Sequence, residues 1–253
     1  MSADTDSQEP LVILVGVGGA TCSGKTTLAK QLRRVLPDSA IVHQDDFAPP
    51  QDALPLHPVY GVQDWDDPPG AIDWPRFVAF LRDVGRTGAI PPGHRSHDHM
   101  NIQQEVAFDG DAIGRWRARF AGVAARRRVR WVLVDGFLLY WDKDADDALD
   151  VRFLLRVPKD VLVERRIARQ GYYTAEGEMW VDPPYYFDGI VYPAYVKAHQ
   201  HLFAAGDVER GALLPAAAEA GRLVLFDALE MSADDLLEKA CQVLLDHVEG
   251  AGQ

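Results

Sequence analysis

The chain has 253 residues, 47% of them apolar and 25% charged, with a formal net charge of −12. That length fits one or two domains with a sizeable core, and the acidic balance argues against a nucleic-acid partner, which normally meets a basic face. Two cysteines, Cys22 and Cys241, build neither a disulfide framework nor a zinc site, so a cytoplasmic setting is expected.

Residues 1–10 are polar and acidic and lack the basic start of a signal peptide. The apolar run after them is too short to span a bilayer. They are expected to form a disordered tail before a single domain at 11–250, with no membrane partner. Short apolar runs rich in Val, Ile and Leu at 11–18, 40–44, 130–135, 151–157 and 222–227 read as buried parallel strands. Amphipathic stretches at 25–36, 74–87, 112–126, 159–170, 189–204 and 232–248 read as helices. Their alternation predicts an α/β fold, a parallel sheet flanked by helices on both faces. Ligands of such sheets bind beyond the carboxyl ends of the strands.

The first strand runs into Gly19-Ala20-Thr21-Cys22-Ser23-Gly24-Lys25-Thr26, a complete G-x-x-x-x-G-K-S/T loop with a helix after it. Glycine tolerates the backbone conformations that turn successive N–H groups inward. The helix start adds partial positive charge. Lys25 would reach the outer phosphates of a nucleoside triphosphate and Thr26 would hold Mg²⁺ through its hydroxyl. Cys22, inside this loop, reads as a small tolerated side chain.

Further along, Gln44-Asp45-Asp46-Phe47 ends the second strand, where a carboxylate could accept the proton of an attacking hydroxyl. Asp45 is the better candidate. Trp131 to Asp135 is an apolar strand tipped by an acid, the layout that orients Mg²⁺ or its waters. Arg165 and Arg169 share a helix face and could neutralise charge on a transferred phosphoryl group. Three long connections resist the simple alternation: 48–73, 88–111 and 171–188. The last carries six aromatics, which disordered loops lack. We read 48–73 as a substrate wall and 171–188 as a lid. His94, His97 and His99 are expected in a solvated loop rather than at a metal. The Arg126–Arg130 run is expected to be a solvated helix end.

Gly19 to Thr27, Gln44-Asp45-Asp46-Phe47, Asp64-Trp65-Asp66, Asp135-Gly136-Phe137-Leu138-Leu139 and Asp182-Pro183-Pro184-Tyr185-Tyr186-Phe187-Asp188-Gly189 occur in one order. Together they resemble the nicotinamide riboside kinase family, within the uridine kinase-like P-loop kinases. The likeness runs from about residue 11 to 245, with a gap through 88–128. It implies a P-loop nucleoside-kinase fold with a lid, ATP as phosphoryl donor and Mg²⁺ as cofactor. By the resemblance, Gly19, Ser23, Gly24, Lys25, Thr26, Thr27, Arg165 and Arg169 would bind ATP. Lys25, Asp45, Asp135 and Arg169 would be catalytic, with Asp45 activating the ribose 5′-hydroxyl and Thr26 and Asp135 at the metal. Trp65 would stack on the nicotinamide ring, and Tyr172 or Tyr173 would supply a second ring. Asp66 and Arg166 would hold the ribose hydroxyls, with Asp182 near the base.

The implied reaction is phosphorylation of nicotinamide riboside to nicotinamide mononucleotide in NAD synthesis. A uridine or cytidine kinase is the alternative within the class. A nucleotide-binding regulatory ATPase is the alternative outside it, disfavoured because a switch needs no aromatic acceptor wall.

Overall fold

The computed structural model describes residues 9–96, 106–169, 171–173, 179–218 and 223–250. Five strands, β1 (Leu11–Gly19), β2 (Ser39–His43), β3 (Val129–Gly136), β4 (Val151–Arg156) and β7 (Leu223–Asp227), form a parallel sheet in the order β2-β3-β1-β4-β7. A two-stranded antiparallel ribbon, β5 (Tyr172–Tyr173) with β6 (Met179–Trp180), lies in the segment read as a lid.

Side chains alternate across the sheet, so each strand feeds two cores. Ile13, Val15 and Val17 of β1 pack with α1 (Lys25–Val35), α3 (Gly110–Ala124) and α8 (Ala233–Gly250) through Leu28, Leu32, Trp116, Phe120 and Leu244. Leu14 faces the other way. It joins α2 (Trp74–Thr87), α4 (Lys143–Asp147), α5 (Lys159–Ala168) and α6 (Tyr192–His199) through Phe77, Leu81, Ala145, Leu162 and Ala198. Both faces are therefore covered, as the apolar strands require.

Local chemistry sets the helix ends. Asp73 caps α2, its carboxylate accepting from the Arg76 N–H at 3.2 Å, and Pro75 follows in the first turn, where its missing N–H costs nothing. Asp109 accepts from the Asp111 N–H at 2.9 Å, so α3 starts before the expected residue 112. The expected helix at 189–204 is instead three pieces. A π-turn at Phe187–Val191 leads into α6, and a 3₁₀ turn at Gln200–Leu202 follows. The apolar spacing continues through these residues, but Phe203 takes an extended backbone, φ −120° and ψ 147°, which ends the helical run. Of two short helices, α4 carried no sequence signal, while α7 (Pro215–Ala218) falls on the alanine-rich stretch 216–220, whose composition allows a helix or a turn. No helix among the described residues is long and apolar enough to cross a membrane.

Candidate active site

The loop after β1 leads into α1 through Gly24, whose φ of 98° lies in the left-handed region that favours glycine. No side chain caps α1 and no acid sits in its first turn. Its leading N–H groups and partial positive charge are therefore left for an anion. The Ser23 hydroxyl, buried in the same loop, has no hydrogen-bond partner among the described residues. Both features fit a phosphate chain. Gly19 ends β1, and Lys25, Thr26 and Thr27 form the first turn of α1.

Strand register brings the two acidic motifs together. β2 and β3 pair with His43 opposite Asp135, so the residues after each strand meet at the sheet's carboxyl edge. Gln44, fully buried, accepts a hydrogen bond from the Leu138 N–H at 2.9 Å. A Cβ on Gly136 would come within 2.5 Å of the Gln44 side-chain oxygen, so glycine there permits the approach. His43 Nδ1 lies 3.1 Å from Asp135 Oδ2. Asp135 Oδ1, also buried, has no hydrogen-bond partner among the described residues.

The two carboxyls shift in opposite directions. Burial would raise Asp135, but the His43 hydrogen bond, the Lys25 charge and the nearby Thr26 hydroxyl outweigh it and hold the group below its usual range. Asp45 is exposed to solvent, though the protein around it partly desolvates its carboxyl. That partial desolvation raises it, against the attraction of Lys25 and with repulsion from Asp135. One carboxylate is thus held firmly ionised, while its neighbour binds a proton more readily.

The expected substrate wall meets the lid through α5. Asp64 Oδ1 accepts from the N–H groups of Asp66 and Asp67 at 3.1 and 2.9 Å, an Asx turn that fixes Asp66. Asp66, 9% exposed, accepts from the Tyr186 hydroxyl at 3.0 Å. Burial raises its carboxyl to about 7 despite the opposing pull of Arg166. Arg166 grips Asp182 with both ends of its fork and donates to the Thr21 hydroxyl at 2.9 Å. The neighbouring Arg165 donates to the Cys22 carbonyl at 3.2 Å. Wall, lid base and phosphate loop therefore converge on Arg166. Trp65 is half-buried between Asp64 and Asp66, and Arg169 is exposed at the end of α5. The backbone of Tyr172 and Tyr173 forms β5; their rings lie outside the described part of the structure.

Three further residues belong to the site. His43 precedes the Gln44–Phe47 motif, but its partner Asp135 is 92 positions away. Tyr186 lay inside a quoted motif and acquires its role only through Asp66. His94 corrects the solvated-loop expectation. Its side chain is 12% exposed and stacks on Phe47, with ring centroids 5.5 Å apart. The polar residues around it disguised a buried ring. His97 and His99 lie outside the described residues. The Arg126–Arg130 run also ends less freely than expected, since Arg130 pairs with Asp38 and donates to the Gly88 carbonyl.

A Schizosaccharomyces pombe protein named nicotinamide riboside kinase is 35% identical over 238 residues, covering 94% of this chain and 98% of that one. This chain belongs to the nicotinamide riboside kinase family. An Eremothecium gossypii member of the same name is 37% identical, with 94% and 93% of the two chains covered. The human nicotinamide riboside kinase 2 is 31% identical over 77% of this chain and 70% of its own. No family model matches the chain. Among solved structures, an unliganded sugar kinase from Janibacter sp. HTCC2649 aligns over 92% of this chain and 94% of that one, at 15% identity and a TM-score of 0.48. The family assignment rests on the curated relatives.

Proposed function

We propose that the chain transfers the γ-phosphoryl group of ATP to the 5′-hydroxyl of nicotinamide riboside, giving nicotinamide mononucleotide. The observation that carries this reading is the pairing of Asp45 and Asp135 beside Lys25 at the mouth of the phosphate loop. Two neighbouring carboxyls driven apart in proton affinity suit two different tasks. Asp45, exposed and raised, accepts the proton of the 5′-hydroxyl as that oxygen attacks phosphorus. Lys25 and the N–H groups at the start of α1 hold the outer phosphates and stabilise their charge.

The residues present fit Mg²⁺. Asp135 is held ionised, and its buried Oδ1 needs a partner. No group of three or more His, Cys, Asp or Glu among the described residues could hold an ion by itself. That suits a metal shared with substrate phosphates rather than caged by protein. Asp135 and Thr26 would hold the ion, which when bound screens the charge on the β- and γ-phosphates.

On the acceptor side, Trp65 offers a ring face to the pyridinium, with Tyr172 or Tyr173 as the second. Asp66 and Arg166 hold the ribose hydroxyls, with Asp182 close by. Arg165 and Arg169 face the phosphates as the lid closes over the reacting atoms and excludes water. The test is product formation from a panel of nucleosides with Mg-ATP. ATP consumption that does not depend on an added nucleoside would point instead to a regulatory ATPase.

A further inference from the structure

The segment between α2 and α3 has no part in the reaction above, yet it places a histidine against the turn that carries Asp45. Pro91 to His94 form a tight turn closed by the His94 N–H, which donates to the Pro91 carbonyl at 2.9 Å. Pro92 and Gly93 occupy its centre, residue types that such turns favour. The turn lays the His94 ring on Phe47 and Phe80, with centroids 5.5 and 4.8 Å away. There His94 Nε2 lies 3.5 Å from Asp46 Oδ2, and the two side chains are only 12% and 3% exposed.

Within the four-residue turn Gln44–Phe47, the other three side chains are anchored and Asp45 is exposed. Gln44 is held by Leu138. Phe47 is packed between Phe77 and Phe80. Arg76 spans the back of the turn, donating to the Asp46 and Ala48 carbonyls at 3.4 and 3.3 Å while its guanidinium sits 5.0 Å from the Phe47 ring centre.

We infer that His94 and Asp46 form a buried latch that positions Asp45 for the acceptor hydroxyl. The inference rests on the reading of Asp45 as the base. A single 3₁₀ turn is stiffened only by what its side chains hold. A buried carboxylate needs a cation or hydrogen-bond donor beside it, and the imidazole brings its Nε2 donor to 3.5 Å, an ion-pair contact when the ring is protonated rather than a formed hydrogen bond. Its aromatic slot fixes where that donor sits. Loss of that donor loosens the hold on Asp46, and Asp45, one residue away, moves with it. His94 and Asp46 are positioning residues and touch no substrate.

The test compares His94→Phe, which keeps the ring but not the donor, with His94→Gln, which keeps a donor but not the ring. Asp46→Asn, the double variant His94→Phe/Asp46→Asn and Asp45→Asn complete the set. Assays run well below each variant's melting temperature. Misplacing a reacting group by about an ångström costs up to ~100-fold. We therefore expect kcat to fall at least about tenfold in His94→Phe and in Asp46→Asn, with the KM for ATP changed less than about twofold. The double variant should be no worse than the poorer single one, because both break the same contact. His94→Gln should recover most of the loss. Wild-type kcat in His94→Phe, equal losses in His94→Phe and His94→Gln, or additive losses in the double variant would each overturn the latch. Near-normal turnover in Asp45→Asn would overturn the base assignment itself, which separates the two failures.

Discussion

Asp66→Asn should make the unliganded protein more stable and the enzyme worse. Burial raises the Asp66 carboxyl from 3.8 to about 7. At ~1.4 kcal/mol for each tenfold change in proton affinity, its ionisation inside the fold costs about 4 kcal/mol at pH 8. Between about pH 4 and pH 7 the folded chain keeps a proton that the unfolded chain has released. Stability from this group is therefore greatest below pH 4, falls as pH rises through that window, and is level above it. Asparagine has nearly the same shape, can still accept from Tyr186, and never ionises. The stabilisation on substitution should approach about 4 kcal/mol at pH 8, on the order of 10 °C in Tm, and shrink to about 2 kcal/mol at pH 5. Arg166 loses one anionic neighbour but keeps Asp182, which makes these upper figures. Urea unfolding of both proteins at pH 5, 6, 7 and 8, without ligand, measures the difference directly. Equal stability at pH 8, or a gain that does not change with pH, would refute the account of Asp66 as a carboxylate kept in a costly site. A simultaneous fall in kcat/KM for the nucleoside would show that the cost is tied to function.

Lys25→Ala should remove most turnover while leaving the fold intact, since the change takes a point charge on the outer phosphates from the half-buried first residue of α1 and no core contact; near-normal kcat in a folded variant would sink the phosphate-loop assignment. Asp45→Asn should lower turnover by ~10²–10⁴ with ATP binding preserved, as measured by calorimetry. Because Asp45 is raised above the ordinary carboxylate range, wild-type kcat should fall with decreasing pH before an unperturbed aspartate would protonate. A rate held constant down to about pH 4 contradicts that. Trp65→Ala should erode the preference for a cationic nucleoside more than Trp65→Phe does, because Phe keeps a ring face for the charge; equal erosion in both would remove Trp65 from the base site.

Much of this molecule could be read from local patterns, and the rest depended on pairing across the sheet. The five strands of the parallel sheet stood out because burial on both faces demands unbroken apolar runs. The phosphate loop is contiguous, so its residues arrive together in sequence as they do in space. The segment at 189–204 misled because apolar spacing persists through Gly189 and Pro193, whereas helix continuity depends on backbone geometry that spacing does not encode. His43 and Asp135 meet only through strand register. The Arg166–Asp182 pair spans just 16 positions, but both residues drew their assignments from the family resemblance, not from each other. His94 was hidden by its neighbours, since a histidine amid polar residues looks solvated until the Pro91 turn delivers it onto Phe47.

The most direct test of the account is the initial rate of ATP-dependent product formation with nicotinamide riboside, uridine and cytidine compared under the same conditions. Nicotinamide riboside carries a fixed positive charge that the pyrimidine nucleosides lack. Aromatic faces attract such a cation by roughly 0.5–2 kcal/mol, and Asp66, once ionised above about pH 7, adds attraction of the same sign, partly offset by its own desolvation. The account predicts a kcat/KM for nicotinamide riboside at least about tenfold above that for uridine or cytidine, equivalent to roughly 1.4 kcal/mol. A higher kcat/KM for either pyrimidine nucleoside would contradict it.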